Sequence, residues 1–232
     1  MSITDLKILS WNVWYDGQFD EISRFLTACN ADILGLQEIV PDDPTRDIIG
    51  FLKNMGYEYE VAPVRTIKKD GRTMSNAIFS KYPILNKEIY LLSDTDNRNA
   101  LRADIKIGEK ILHVFSTHLL HTHQQPSETQ ELQVKNLLKI LPKENTILMG
   151  DFNATTESVA IQKIKEIMVD SNSLATPTLN PIFFDCSKCD PKVMSHTRLD
   201  YIFTSKDIKT NSFSVYDAKG SDHLPISISI TV

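Results

Sequence analysis

The chain has 232 residues, of which 41% are hydrophobic and 24% charged, with a formal net charge of -5. That length and balance fit one sizeable domain, residues 1–232, with a real core, and they exclude a disordered or fibrous chain. The acidic surplus argues against a processive protein wrapped tightly on a polyanion. Three cysteines make no disulfide framework, no apolar run reaches the ~20 residues that cross a bilayer, and no secretory leader is visible. A reducing, cytoplasmic setting is therefore expected, with signal-less export left open, and a monomer.

Leu6 to Trp14 reads as a strand ending in polar and aromatic residues. Ile22, Phe25, Leu26 and Cys29 follow helical spacing, which makes Cys29 a small core residue. The run ILGLQE predicts a second buried strand, tipped by Gln37 and Glu38. Asp43-Pro44 reads as a helix start, and Gly56 as its stop. Tyr57 to Val64 predicts a strand, and Lys68 to Arg72 a charged, solvated turn.

Four β segments follow, over 74–80, 84–92, 100–107 and 111–118, with the spacing of an antiparallel meander. Ser127 with Gln130 forms a capping-box pattern for a helix closed by Pro142. Ile147 to Met149 reads as a strand buried on both faces; strand alternation then turns Asp151 and Asn153 the same way and Phe152 into the core. Alone, that GDFN segment fits a helix-capping turn as well as a site. A helix is expected over 156–170, a surface loop over 171–194, and strands over 198–204 and 211–217. After Pro225, Ile226, Ile228, Ile230 and Val232 alternate with Ser and Thr, as in a half-buried strand.

What stands out is the number of strands tipped by polar groups: Asn12, Glu38, His118, Asp151 with Asn153, Asp200, and Asp222 with His223. A carboxylate inside a segment such as LDYIF is expensive to bury without a partner, and several such tips together suggest one converging site. Hard cations such as Mg²⁺ take oxygen ligands of this kind.

The ordered set WN, LQE, SNAIFSKYPI, THL, GDFN, LDYIF and SDHLP resembles the endonuclease/exonuclease/phosphatase superfamily over essentially the whole chain. The resemblance implies a four-layered α/β/β/α sandwich of two mixed, mainly antiparallel sheets with outer helices. It implies a Mg²⁺- or Mn²⁺-dependent phosphoesterase whose substrate is a phosphate ester, a nucleic acid or nucleotide included. Carried over motif by motif, Glu38 would be the principal metal ligand, with Asn12 and Asp222 beside it. Asp151 and His223 would share the handling of the attacking water's proton, His223 being oriented by Asp200. His118 and Asn153 would bond the phosphoryl oxygens.

Asn76, Arg98, Arg102 and Trp14 are candidates for substrate contact, each with an ordinary structural reading beside it. His121 and His123 make a poor zinc site at their spacing. Cys186 and Cys189, in CSKC, lack the context of a redox motif and read as loop thiols. GDFNATT and LDYIFTS depart from the inositol polyphosphate phosphatase motifs, and THLLHT from the tyrosyl-DNA phosphodiesterase pattern. A phosphodiesterase or nuclease is the leading expectation. The alternatives are a phospholipid or sphingomyelin headgroup diesterase, a phosphoinositide phosphatase, and a catalytically silent scaffold.

Overall fold

The computed structural model describes residues 4–183 and 191–232. Its first sheet runs in the order β11-β12-β1-β2-β4-β3 and its second in the order β5-β6-β7-β8-β10-β9. In the first sheet these are β1 (Asp5–Asn12), β2 (Ile33–Ile39), β3 (Glu58–Thr66), β4 (Thr73–Ser80), β11 (Thr210–Val215) and β12 (Ile226–Thr231). The second holds β5 (Ile84–Leu91), β6 (Asn99–Ile107), β7 (Lys110–His118), β8 (Thr146–Asp151), β9 (Val169–Asp170) and β10 (Asp200–Thr204). Each sheet has one parallel pair, β1 with β2 and β7 with β8; the other neighbours are antiparallel. Each parallel pair needs a crossover, supplied by helices α1 (Phe19–Cys29) and α3 (Glu128–Ile140).

Strand alternation builds the layers. Leu6, Ile8, Ile33 and Ile228 of the first sheet pack against Ala103, Val114, Ile147 and Ile202 of the second. The opposite face of the first sheet, with Leu9, Trp11, Leu34 and Phe79, is covered by α1 and by α2 (Ile48–Asn54). Phe115, Leu148, Tyr201 and Phe203 are covered by α3 and α4 (Val159–Ile167). The result is the expected α/β/β/α sandwich. The central strands, such as β2, β8 and β10, are covered on both faces, which is why they read as near-continuous apolar runs.

Several boundaries differ from the sequence reading. The expected meander is split: β3 and β4 pair in the first sheet, and the chain crosses to the second before β5. Period-2 patterning identifies strands but does not say which sheet each joins. The second helix begins four residues after Pro44. The Asp43 carboxylate accepts from the Thr45 backbone N–H and hydroxyl and meets Arg72 at 2.5 Å, holding a turn, whereas Asp47 caps α2 through the Gly50 N–H at 2.7 Å. Arg72 also meets Asp16 and Asp70, so the charged turn is an ion-paired clamp.

Ser127 caps α3 through the Gln130 N–H, but the Gln130 amide does not reach back to it. It donates instead to the carbonyls of Leu120, Phe152 and Asn153. The helix expected from residue 156 starts after Ser158, whose hydroxyl accepts from the Ile161 N–H, and ends before β9. Within the expected surface loop, Thr178, Leu179 and Asn180 are buried, and Leu179 forms a β-bridge with His223. Cys186 and Cys189 lie outside the described residues. No helix among the described residues is long and apolar enough to cross a membrane.

Candidate active site

Topology explains why the polar tips meet. In a parallel pair the C-terminal ends lie together, and an antiparallel neighbour contributes its beginning to the same edge. Asn12 and Glu38 end the first sheet's parallel pair, while His118 and Asp151 end the second's. Asp200 opens β10 directly opposite Asp151, and Asp222 and His223 lie just before β12. The two sheets join through the Asn12 amide, whose Nδ2 donates to Asp151 Oδ2 at 3.1 Å. Asn12, Glu38, His118, Asp151, Asn153, Asp222 and His223 line one cleft, together with Arg65, Arg98 and His121.

The centre of the cleft is a chain of carboxylates and imidazoles. His223 Nδ1 donates to Asp200 Oδ2 at 2.8 Å, which leaves Nε2 free, 3.7 Å from Asp151 Oδ2. The backbone locks this ring in place: the Trp11 indole donates to the His223 carbonyl, and the His223 N–H donates to Ser221 Oγ. Thr178 Oγ1 accepts the N–H groups of Leu199 and Asp200. Burial by itself would lower the His223 pKa, but Asp200 and Asp151 outweigh it and raise it well above the usual imidazole range. Burial raises the Asp151 carboxyl despite the opposing pull of His223. His118, 3.4 Å from Asp151, is driven the other way by burial and then by Arg98, so its ring is neutral near pH 7.

Asp151 and Asn153 do share the cleft, but not through extended alternation. Asn153 is left-handed, with φ 50°, and its N–H folds back to Asp151 Oδ1 at 2.9 Å. Its side-chain oxygen accepts from His121 Nδ1 at 2.8 Å, while its amide group donates to the Leu119 carbonyl. Glu38 is also left-handed, at φ 60°, in the irregular stretch where β2 changes register against β4. That conformation costs a non-glycine residue of order 1 kcal/mol or more and is characteristic of functional positions. It aims the carboxylate inward, where Oε2 accepts the Tyr15 N–H at 3.1 Å.

The donor set suits a hard divalent cation. Burial and the neighbouring Asp222 push the Glu38 carboxyl up to about 7, and burial likewise raises Asp222. A cation between such oxygens would relieve both effects. Asp151, Asp200 and His223 also present ligand atoms within 4.8 Å of one another. In that group, however, the Asp200–imidazole bond already uses one carboxylate oxygen.

Other sequence candidates lie elsewhere. Arg102 is on the outer face of the second sheet, bound to Asp104 at 2.8 Å and stacked over Phe115. The strand period places it opposite the face that its neighbours Leu101 and Ala103 present to the core. Trp14 does not line the cleft, and Tyr15 packs on Val40, Ile67 and Met74. Asn76 is buried beneath the site and donates to the Asn99 backbone and side-chain oxygens. Arg98 does enter the cleft, with its guanidinium on the His118 carbonyl. His121 lines the cleft and is linked to His123, which does not. Arg65 and Thr178 belong to none of the sequence motifs above. Arg65 had one signal, a charge at the C-terminal end of a strand; Thr178, in an irregular stretch, had none.

A family model, Endonuclease/Exonuclease/phosphatase family, matches residues 9–223. The chain belongs to that family, whose members are hydrolases of phosphate esters. No curated protein matches it. Among solved structures, an endonuclease/exonuclease/phosphatase from Beutenbergia cavernae is 18% identical with a TM-score of 0.79, over 98% of this chain and 72% of that one. The human nocturnin catalytic domain with bound sulfate is 18% identical with a TM-score of 0.75, over 99% and 96%. ANGEL2, described as a 2′,3′-cyclic phosphatase and held with adenosine-2′,3′-vanadate, is 17% identical with a TM-score of 0.75, over 99% and 96%. At these identities the likeness is one of fold.

Proposed function

We propose that this protein hydrolyses a phosphodiester, with a divalent cation, by in-line attack of water on phosphorus. The observation that carries the reading is the Asp200–His223 pair, its free Nε2 facing Asp151 in the cleft that also holds Glu38 and Asp222. Glu38 and Asp222 would hold Mg²⁺ or Mn²⁺, with Asn12 alongside. When bound, the cation neutralises charge that builds on the phosphoryl oxygens.

Asp200 fixes the His223 tautomer and favours the charged ring. Asp151, raised by burial, is a better base than an ordinary carboxylate and receives a hydrogen bond from Asn12, which aims it. Asp151 and the charged His223 act as a pair: it takes one proton from the attacking water, at the Asp151 carboxylate, and returns one to the leaving oxygen as its bond to phosphorus breaks. The neutral His118 donates to a phosphoryl oxygen, and Asn153, whose amide also holds the Leu119 carbonyl and Asp151, supports the same side of the cleft. Among diesters we favour nucleotides, a choice supported by the structurally similar ANGEL2, solved with adenosine-2′,3′-vanadate.

The test is hydrolysis of bis-p-nitrophenyl phosphate with Mg²⁺ or Mn²⁺, with and without chelator, by wild type, Asp151→Ala and His223→Ala. Activity should require the cation and fall roughly 10²- to 10⁴-fold in each variant. Activity that survives chelation, or both substitutions, would remove the proposal.

A further inference from the structure

The chain has seven arginines. Arg24 pairs with Glu21, Arg72 with Asp16, Asp43 and Asp70, Arg102 with Asp104, and Arg198 with Asp170. Arg46 is held by the backbone carbonyls of Val13, Trp14 and Tyr15. The remaining two, Arg65 and Arg98, have no carboxylate within ion-pair distance among the described residues, and both line the active cleft. Arg98 is 2% exposed, and its guanidinium donates to one neutral carbonyl at 3.2 Å. Arg65, at the end of β3, places Nε 3.2 Å from the Met74 sulfur, a weak acceptor.

Two guanidinium groups in one cleft repel each other. Burial first, and then Arg65, lower the Arg98 pKa, and both arginines disfavour protonation of His118. Glu38 and Asp151 ease the strain on Arg98 only from a distance. A buried, unpaired cation is costly unless something of opposite charge completes it. Guanidinium groups match phosphate oxygens in fork geometry, and two of them suit a dianion better than the single charge of a diester.

We infer that Arg65 and Arg98 form a second anion subsite, and that the preferred substrate is a short nucleotide diester carrying an additional terminal phosphate. The inference rests on the phosphodiesterase reading for the location of the first phosphate. The charge of the whole chain points to a short ligand. At -5, the protein opposes a long polyanion or an anionic bilayer, but a local pair of cations still captures a compact dianion. Arg65 also borders a groove lined by Pro63, Ile89, Leu91, Asn97 and Asn99. Its mixture of apolar side chains and amides suits a nucleoside.

Arg65→Gln is the informative variant, because Arg65 is exposed on an edge strand and its loss leaves the core intact. The readout is the ratio of kcat/KM for dithymidine bearing a 5′- or 3′-phosphate to that for unphosphorylated dithymidine. Wild type should prefer one phosphorylated form about tenfold, equivalent to ~1.4 kcal/mol, and Arg65→Gln should bring the ratio near one. Calorimetry on the metal-free protein should show thymidine 3′,5′-bisphosphate binding about tenfold tighter than thymidine 5′-monophosphate, with the difference lost in Arg65→Gln. Equal handling of both ligands by wild type, or a preference retained by the variant, would overturn the subsite. Preferential binding of phosphatidylinositol bisphosphate vesicles would overturn the nucleotide assignment. Failure of wild type to cleave bis-p-nitrophenyl phosphate would remove the phosphodiesterase reading alone, leaving calorimetry to decide the subsite.

Discussion

The Tyr15 backbone N–H donates to Glu38 Oε2 at 3.1 Å, so the loop after β1 holds the carboxylate that tips β2. That loop is itself held by Arg46, whose guanidinium donates to the carbonyls of Val13, Trp14 and Tyr15. Arg46→Ala should therefore free the Tyr15 N–H and weaken Mn²⁺ binding roughly tenfold or more, as lost supports of metal ligands do. Calorimetric titration of the folded variant with Mn²⁺ checks this; unchanged affinity would restrict Arg46 to a structural part.

Asp200 and His223 make a second testable pair. Asp200→Asn removes a carboxylate that stabilises the imidazolium, so the His223 pKa should fall. An NMR titration of the ring measures that shift directly. The same variant should lose roughly 10²-fold or more in kcat, because the amide can present its NH₂ to Nδ1 and select the wrong tautomer. A His223 pKa that stays raised would mean that Asp151 alone sustains it.

Gly150 lies where β8 runs beside β7, and a Cβ there would sit 1.9 Å from the Thr117 carbonyl oxygen. Backbone cannot yield as a flexible side chain can. Gly150→Ala should destabilise the fold by about 3 kcal/mol or more, read by urea denaturation. A loss below about 1 kcal/mol would show that the two strands can separate locally.

On the outer face of the second sheet, burial would push the Asp104 carboxyl up, but hydrogen bonds from His113 and Arg102 hold it below its usual range. A carboxyl lowered by folding contributes stability above its unfolded pKa, about 3.9, and loses it as pH falls through the folded value. Wild type should thus lose stability as pH drops below about 4, and Asp104→Asn should lose less over that window. Urea midpoints at pH 7 and pH 3 decide the matter.

Much of this molecule was legible in the chain. Apolar runs ending in LQE, GDFN and SDH marked buried strands with polar tips, because a strand buried on both faces must be apolar until it reaches the sheet edge. The residues of the cleft's centre, Asn12, Glu38, His118, Asp151, Asp200, Asp222 and His223, were all marked in this way. Sheet membership was not legible, since alternation is a local property and pairing is not. For the same reason Arg102 looked equivalent to Arg98 in NRNALRADI, four residues away. Arg98 lies just before β6, after the left-handed Asn97, and turns onto the His118 carbonyl in the cleft, whereas Arg102, inside β6, sits on the outer face beside Asp104. The support of Asp200 by Thr178, and the lack of carboxylate partners for Arg65 and Arg98 among the described residues, are long-range facts. Which groups carry charge at the strand tips follows from the chain alone. Tertiary structure decided which of those charges face one another unpaired, because that depends on neighbours far apart in the chain.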